Sequence, residues 1–496
     1  MANRQERRRR LAAGRKDNNI GGEGLASLWT SAVAAEQKQD YQRAQHLYET
    51  AVKAAPLDVQ AVTLLAAFYY RIKRLRDAAK WFKEATRLQP QTPDHFFNLG
   101  KVLNDLGSPE EAETQYRAAL AINPTYMLAL NNLGNLLLNR NEAEQAINLF
   151  KIAVDTDPNH PFAYHNLANG FLKKGDPGAA LSATEQGLAY APKNHLLWFV
   201  RGNAFLQKRL WGEAIAAYLK AQQGSTIPGL KFNLGICYLM EKSAIQALAC
   251  FEEALLYEPR RMDIHAYKAI ALTESAQVAQ ASVILDYDRL IQQSSIFDAD
   301  GYPGWEAYAQ ALTHDILTHP SLEWERSTTA TRGGGHTGSL LENPTPALKA
   351  TERMIRREVD RYIASLPRDA YSAFLSLTPH EYLVNLWAVV IEETGYQIPH
   401  LHSSGWLSGV FYLQVPSSIR ADDARHAGWI EFGQPGYDVP YSGQYALKKV
   451  FPEPGKLMLF PSYVFHRTIP TIGKDRRISV AFDIVPRETG ERARRE

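Results

Sequence analysis

Residues 132–158 read NLGNLLLNRNEAEQAINLFKIAVDTDP: two apolar runs at helical spacing, a polar turn between them, and a proline at the close. The arrangement recurs on both sides. Pro56, Pro90, Pro124, Pro158 and Pro192 each stand 34 residues after the one before. In phase with them come Leu65, Leu99, Leu133 and Leu167, followed directly by the small residues Ala66, Gly100, Gly134 and Ala168. Ala44, Ala78, Ala112, Ala146 and Ala180 keep the same period, and Tyr48, Phe82, Tyr116 and Phe150 follow the first four of these alanines by one helical turn. Each unit is therefore two helices. The small residues let the helices approach, the aromatic packs toward the neighbouring unit, and the proline closes the second helix.

After Pro192 the period loosens. LWFVRGNAFLQKRLWGEAIAAYLKAQ is a drifted unit, and NLGICYLMEKSAIQALACFEEALLYEP, ending at Pro259, is a clear one. About seven units span residues 25 to about 260, with a helical cap to about 292. This pattern resembles the tetratricopeptide-repeat superfamily over more than half the chain. The resemblance implies an all-α solenoid with a concave face that binds a protein or peptide partner. Asn98, Asn132 and Asn166 recur in phase, with Asn131 and His165 one residue earlier. Two readings stand level: these groups hydrogen-bond an extended peptide, or they satisfy neighbouring groups within the stack.

Composition narrows the rest. A chain of 496 residues exceeds one core and predicts two or more domains. Lys plus Arg number 55 against 53 Asp plus Glu, a balance that argues against a nucleic-acid or membrane partner. Cys237 and Cys250 are the two cysteines, too few for a disulfide scaffold and in keeping with a reducing compartment. No apolar run has the length of a membrane span. The opening MANRQERRRRLAAGRKDNN is basic without the apolar centre of a signal peptide, so residues 1–24 are expected to be a disordered tail and the cytoplasm the compartment.

From about residue 293 the helical period stops. RGGGHTGSLLENPTP reads as loop, and no Walker spacing follows Gly333–Gly335 or Gly473-Lys474, so neither is a phosphate cradle. ALKATERMIRREVDRYIASL is one convincing helix. Beyond residue 370, YSAFLSLT, YLVNLWAVVIEE, GVFYLQVP, GWIEFGQP, KLMLFPS and RRISVAFDIV read as short strands. The expectation for 293–496 is a mainly-β double-stranded barrel, or jelly roll, with flanking helices and an open mouth.

PHLHSSGWLSGVFYLQVP, residues 399–416, places His400 and His402 at the mouth of one strand. His466 follows the apolar KLMLFPS, and Arg477 opens RISVAFD eleven residues later. With Ser408 to Leu413, Gly428, Phe432, Phe460-Pro461-Ser462, Pro470 and Ser479, this layout resembles the iron(II)- and 2-oxoglutarate-dependent oxygenases. That resemblance implies Fe(II) and 2-oxoglutarate as cofactor and cosubstrate. It makes His400 and His466 iron ligands and Arg477 the anchor of the cosubstrate's far carboxylate, with Ser479 beside it and Tyr412 adding a hydrogen bond. The commoner pattern is H-x-D, and His402 holds the carboxylate's place. Three accounts stay open: His402 is a third ligand, it hydrogen-bonds a metal-bound water, or Glu431 swings in as the carboxylate. The first two are favoured. No catalytic residue beyond these is singled out. His336, His380 and His426 are read as ordinary polar residues, and Trp406 as packing. The whole is expected to be a dioxygenase hydroxylating a side chain on a protein held by the repeats. The alternatives are a scaffold with a degenerate barrel, or an oxygenase of small molecules.

Overall fold

The computed structural model describes residues 22–224, 226–326, 329–366, 373–436, 439–440, 442, 445–471 and 475–487. The chain forms two compact units: Met1–Leu210 with Leu219–Gly224, and Trp211–Tyr218 with Ser225–Glu496. Most of the basic segment expected to be a disordered tail lies outside the described residues. The first helix, α1, already begins at Gly22 (Gly22–Gln37).

The 34-residue period becomes successive helix pairs. After α1 come α2 (Tyr41–Ala54), α3 (Val59–Arg71), α4 (Leu75–Leu88), α5 (Pro93–Asp105), α6 (Pro109–Ile122) and α7 (Met127–Asn139). Then follow α8 (Ala143–Thr156), α9 (Pro161–Lys174), α10 (Pro177–Tyr190) and α11 (His195–Gln207). Each phased proline stands two residues beyond the end of an even-numbered helix, as at Pro158 after Thr156, where its missing N–H breaks no helical bond. Side chains cap several starts: Asp58 accepts from the Ala61 amide at 2.8 Å and Asn194 from Leu197 at 3.0 Å. The small positions carry the packing. A Cβ on Gly134 would come within 2.3 Å of the Phe150 ring, and one on Gly100 within 2.8 Å of Tyr116. The polar ridge turns partly inward on itself. Asn166 Nδ2 donates to Asn131 Oδ1 at 2.9 Å, Asn132 Nδ2 to the Leu128 carbonyl at 2.8 Å, and Asn169 Nδ2 lies 3.2 Å from His165 Nε2. These bonds are made within the stack.

In the second unit, α12 (Trp211–Ala221, of which Trp211–Tyr218 belongs here), α13 (Leu230–Met240), α14 (Ala244–Tyr257), α15 (Met262–Glu274), α16 (Val278–Ile284) and α17 (Tyr287–Leu290) precede the β region. The strands are β1 (Gln292–Ser295), β2 (Glu323–Trp324), β3 (Thr331–His336), β4 (Tyr382–Gln397) and β5 (Leu407–Gln414). They continue with β6 (Ile430–Phe432), β7 (Lys448–Val450), β8 (Lys456–Pro461), β9 (His466–Thr468) and β10 (Arg477–Pro486). Interleaved are α18 (Trp305–Leu317), α19 (Pro346–Ser365) and α20 (Ala373–Ser376). The strands form an antiparallel seven-stranded sheet ordered β1-β8-β5-β10-β4-β3-β2 and a three-stranded sheet ordered β7-β6-β9. The result is a curled half-barrel after the pattern of a jelly roll.

Three sequence expectations need correction. Gly333–Gly335, read as loop, lies in β3. Glycine is required there because a Cβ on Gly334 would meet the Val390 carbonyl oxygen at 2.3 Å, and Gly333 adopts φ +63° at a register shift. YSAFLSLT, read as a strand, has a helical turn, α20, in its described part. Trp305–Leu317 is a helix that the loss of the 34-residue period concealed. The Gly473-Lys474 pair lies outside the described residues. One apolar core runs from Phe232 and Phe251 of the last helix pair through Ile355 of α19 to Phe482 and Ile484 of β10.

Candidate functional site

Strand alternation builds the site. On β10, Arg477, Ser479, Ala481 and Asp483 fall on one face; on β5, Val410 and Tyr412 do; on β4, Trp387 and Val389. All of these line a cavity of about 380 Å³ between the large sheet and the small one, which contributes Ile430, His466 and Thr468.

Backbone pairing brings three histidines together at that cavity. His400 and His466 form an antiparallel bridge, the His400 amide donating to the His466 carbonyl at 3.0 Å and the reverse bond measuring 2.9 Å. Two residues on, the His402 amide donates to the Ser462 carbonyl at 3.0 Å. The alternation of HLH thus sends both rings to one side, facing His466. Ring centroids are 4.2 Å apart for His400 and His466, 5.3 Å for His400 and His402, and 5.1 Å for His402 and His466. One nitrogen from each ring lies within 4.8 Å of the others.

The opposite nitrogens are held from behind. His400 Nδ1 lies 2.8 Å from the Ile398 carbonyl, His466 Nδ1 3.1 Å from the Val464 carbonyl, and His402 Nδ1 2.6 Å from Asp483 Oδ1. A carbonyl or carboxylate only accepts, so each Nδ1 is the nitrogen that donates, and in the neutral ring the lone pair falls on Nε2. Burial, helped by the neighbouring His402, holds the His400 ring down at about 3; burial and then His400 hold His466 well below the ordinary range. Neutral rings with converging lone pairs can hold a metal ion.

Deeper in, Arg477 is 2% exposed. Its Nη1 donates to the Gly428 carbonyl at 3.0 Å and its Nη2 to Thr468 Oγ1 at 2.9 Å, while Nε is buried without a partner. Burial lowers its pKa, and burial raises the adjacent Tyr412 phenol to about 12. Among the described residues no carboxylate pairs with Arg477. A buried cation with an unpartnered donor fits the far carboxylate of a dicarboxylic cosubstrate.

Residues 385–483 match the family described as "Putative 2OG-Fe(II) oxygenase". Residues 30–93, 97–161 and 165–226 match a tetratricopeptide-repeat family. The chain is a fusion of tetratricopeptide repeats with a domain of this oxygenase family. Its repeats are similar to those of solved structures. A tetratricopeptide repeat protein from Parabacteroides merdae is 18% identical and is covered in full, over 51% of this chain, at a TM-score of 0.43. A repeat protein of Thermus thermophilus is 24% identical, covered in full over 37% of this chain, at 0.33. YrrB, described as a tetratricopeptide-repeat protein with an unusual peptide-binding site, is 22% identical, 88% covered over 34% of this chain, at 0.30. No curated protein matches the chain significantly. Among the described residues of this fusion no helix is long and apolar enough to cross a membrane.

The oxygenase-family domain of the fusion brings together all six residues singled out from sequence: His400, His402, His466, Arg477, Ser479 and Tyr412. Glu431 stands apart, buried on β6 with Oε1 accepting from Arg467 Nε at 2.7 Å and Lys449 Nζ at 3.8 Å from its other oxygen. Ile430, its neighbour, faces the cavity instead, as strand alternation requires. Trp406 packs, its ring stacked 4.6 Å from Phe374. His336 lines the cavity, stacked on Trp387 with its Nδ1 unpartnered, and so departs from the ordinary polar residue expected. Sequence reading missed Thr468, Trp387 and Asp483. The period of two from Arg477 would have found Asp483.

Proposed function

We propose that this fusion is an Fe(II)- and 2-oxoglutarate-dependent dioxygenase that hydroxylates a side chain of a protein held by its repeats. The observation that carries the reading is the convergence of three lone-pair imidazole nitrogens beside a buried arginine with an unpartnered donor. His400, His402 and His466 would hold the iron, and Arg477, with Ser479 and Tyr412 near it, the cosubstrate. When bound, iron with 2-oxoglutarate and dioxygen supplies oxidative decarboxylation to succinate and carbon dioxide, coupled to insertion of one oxygen atom into a C–H bond.

The chain's own residues set the conditions. Thr468 Oγ1 and the Gly428 carbonyl fix the plane of the Arg477 guanidinium, so its remaining N–H groups present one orientation to a carboxylate. Ile430, Val410 and Phe460 give one part of the cavity an apolar lining. Tetratricopeptide repeats generally mediate protein–protein contact, and tethering a partner raises its concentration at a weak site.

The test is anaerobic addition of Fe(II) and 2-oxoglutarate to the full chain, followed by the weak visible charge-transfer absorption of such complexes. The band is expected in the wild type and lost in His466→Ala. A folded, metal-exposed wild type without it overturns the reading.

A further inference from the structure

The three histidines differ in what stands behind them. His400 and His466 lean on main-chain carbonyls, whereas His402 leans on a carboxylate. That carboxylate is held in place. Ser408 Oγ donates to Asp483 Oδ1 at 2.6 Å, lies 2.8 Å from Ser462 Oγ and 3.1 Å from His402 Nδ1, and Ser408 stands directly across from Asp483 in the β5–β10 register. The turn after His402 closes over it: a Cβ on Gly405 would come to 3.2 Å from Asp483 Cβ and 2.6 Å from Ser462 Oγ. Among the described residues the one ion-pair partner of Asp483 is His402. Among those residues no lysine or arginine competes for its charge.

The electrostatics of the cavity give that charge a purpose. The usual ferrous facial site has two histidines and a carboxylate, which offsets one of the metal's two positive charges. Three neutral imidazoles offset none, and this cavity already contains the buried Arg477 cation. Two unscreened positive centres in a low-dielectric pocket repel each other strongly. A carboxylate hydrogen-bonded to the far nitrogen of a ligating imidazole makes that ring a more basic, partly anionic donor and fixes its orientation.

Resting on the metal-centre reading above, we infer that Asp483 is the positioning residue of the site and supplies, through His402, the negative charge that a carboxylate ligand brings elsewhere. The carboxylate missing from the H-x-H motif is present one ring farther out, on β10. This accounts for the H-x-H motif without Glu431, whose charge is committed to Arg467 and Lys449.

The test uses the full-length, metal-free protein and Co(II), with affinity measured by competition against a chromophoric chelator and the ligand field read from the cobalt d–d bands. Asp483→Asn keeps an oxygen acceptor and removes the charge. It is expected to weaken cobalt about 10–100-fold, the ordinary effect of losing such a partner, and to shift the d–d bands while the metal-free Tm stays put. Ser408→Ala, which removes the hydroxyl that touches both the carboxylate and His402 Nδ1 but leaves the charge, is expected to give a smaller loss. Wild-type affinity in Asp483→Asn overturns the inference while leaving the metal centre standing. So does a lowered Tm with unchanged affinity, because that marks a structural role alone. If Asp483→Asn fails to fold, Ser408→Ala decides, and wild-type affinity there also overturns it. A wild type that binds no cobalt overturns the metal-centre reading and this inference together.

Discussion

Arg477 shows how much one side chain can ask of its surroundings. Its guanidinium is buried, two of its nitrogens are committed to Gly428 and Thr468, and the third has no acceptor among the described residues. Lysine at this position would keep the charge and lose the fork, since one ammonium cannot serve both fixed acceptors and still present a planar pair of donors. Arg477→Lys is therefore expected to weaken 2-oxoglutarate binding to the metal-loaded protein about 10–100-fold, the scale of a charge-assisted hydrogen bond, with metal affinity nearly unchanged. Titration of 2-oxoglutarate into the cobalt form measures both, and an unaltered affinity for the cosubstrate would remove Arg477 from that role. At this scale the site was legible for a mixed reason. His400, His466 and Arg477 stood out because a nameable layout surrounds them. Asp483 and Thr468 did not, because a residue that acts through another has no motif of its own and shows itself only through strand alternation and register.

Elements were legible where one packing rule repeats. The glycines after two of the phased leucines are explained by the rings that press on them, Tyr116 on Gly100 and Phe150 on Gly134. Gly134→Ala is expected to cost about 1–3 kcal/mol, the range for overpacking a filled interior, because the added methyl and the ring cannot share the space. Phe150→Leu alone should also destabilise. The double variant should lose less than the sum of the two, by a coupling within about 0.5–3 kcal/mol, since the smaller side chain leaves room for the methyl. Chemical denaturation of the four proteins measures the cycle, and strict additivity would mean that the glycine is kept for another reason. The glycines of β3 follow the same physics but hid it. Gly333 to Gly335 lack strand propensity and so read as loop, yet the close approach of the Val390 carbonyl leaves no space for a side chain at Gly334. The requirement comes from β4, far along the chain, and no local pattern reports it. The same holds for α18, a single helix without a repeat to announce it.

At the scale of the molecule, the change of sequence pattern and the boundary of the folded unit are different things. Period 34 fades near residue 260 and strands begin near 292, which suggests a cut between them, but the core passes straight through that point. Tyr463 on the barrel side donates to the Ile284 carbonyl at 2.8 Å, and its ring lies 6.0 Å from His265. Tyr445 donates to Glu274 at 2.8 Å, Lys448 pairs with Asp288 at 2.8 Å, and Phe465 meets Tyr267 edge-on at 6.1 Å. Removing the helices up to residue 292 would therefore expose Tyr463 and Phe465, each worth about 1.5–3 kcal/mol of burial. Marginal stability cannot absorb several such losses at once. A fragment of residues 211–496 is expected to be soluble and to unfold in one cooperative transition, whereas residues 293–496 should aggregate or show no near-ultraviolet circular dichroism. His466 follows directly on Tyr463, Val464 and Phe465, so the helices that cover those residues also fix the strand carrying that ring. If 293–496 instead folds with its own cooperative transition and binds Co(II) like the full chain, the last repeat helices are mere neighbours of the barrel and not part of the structure that holds the site.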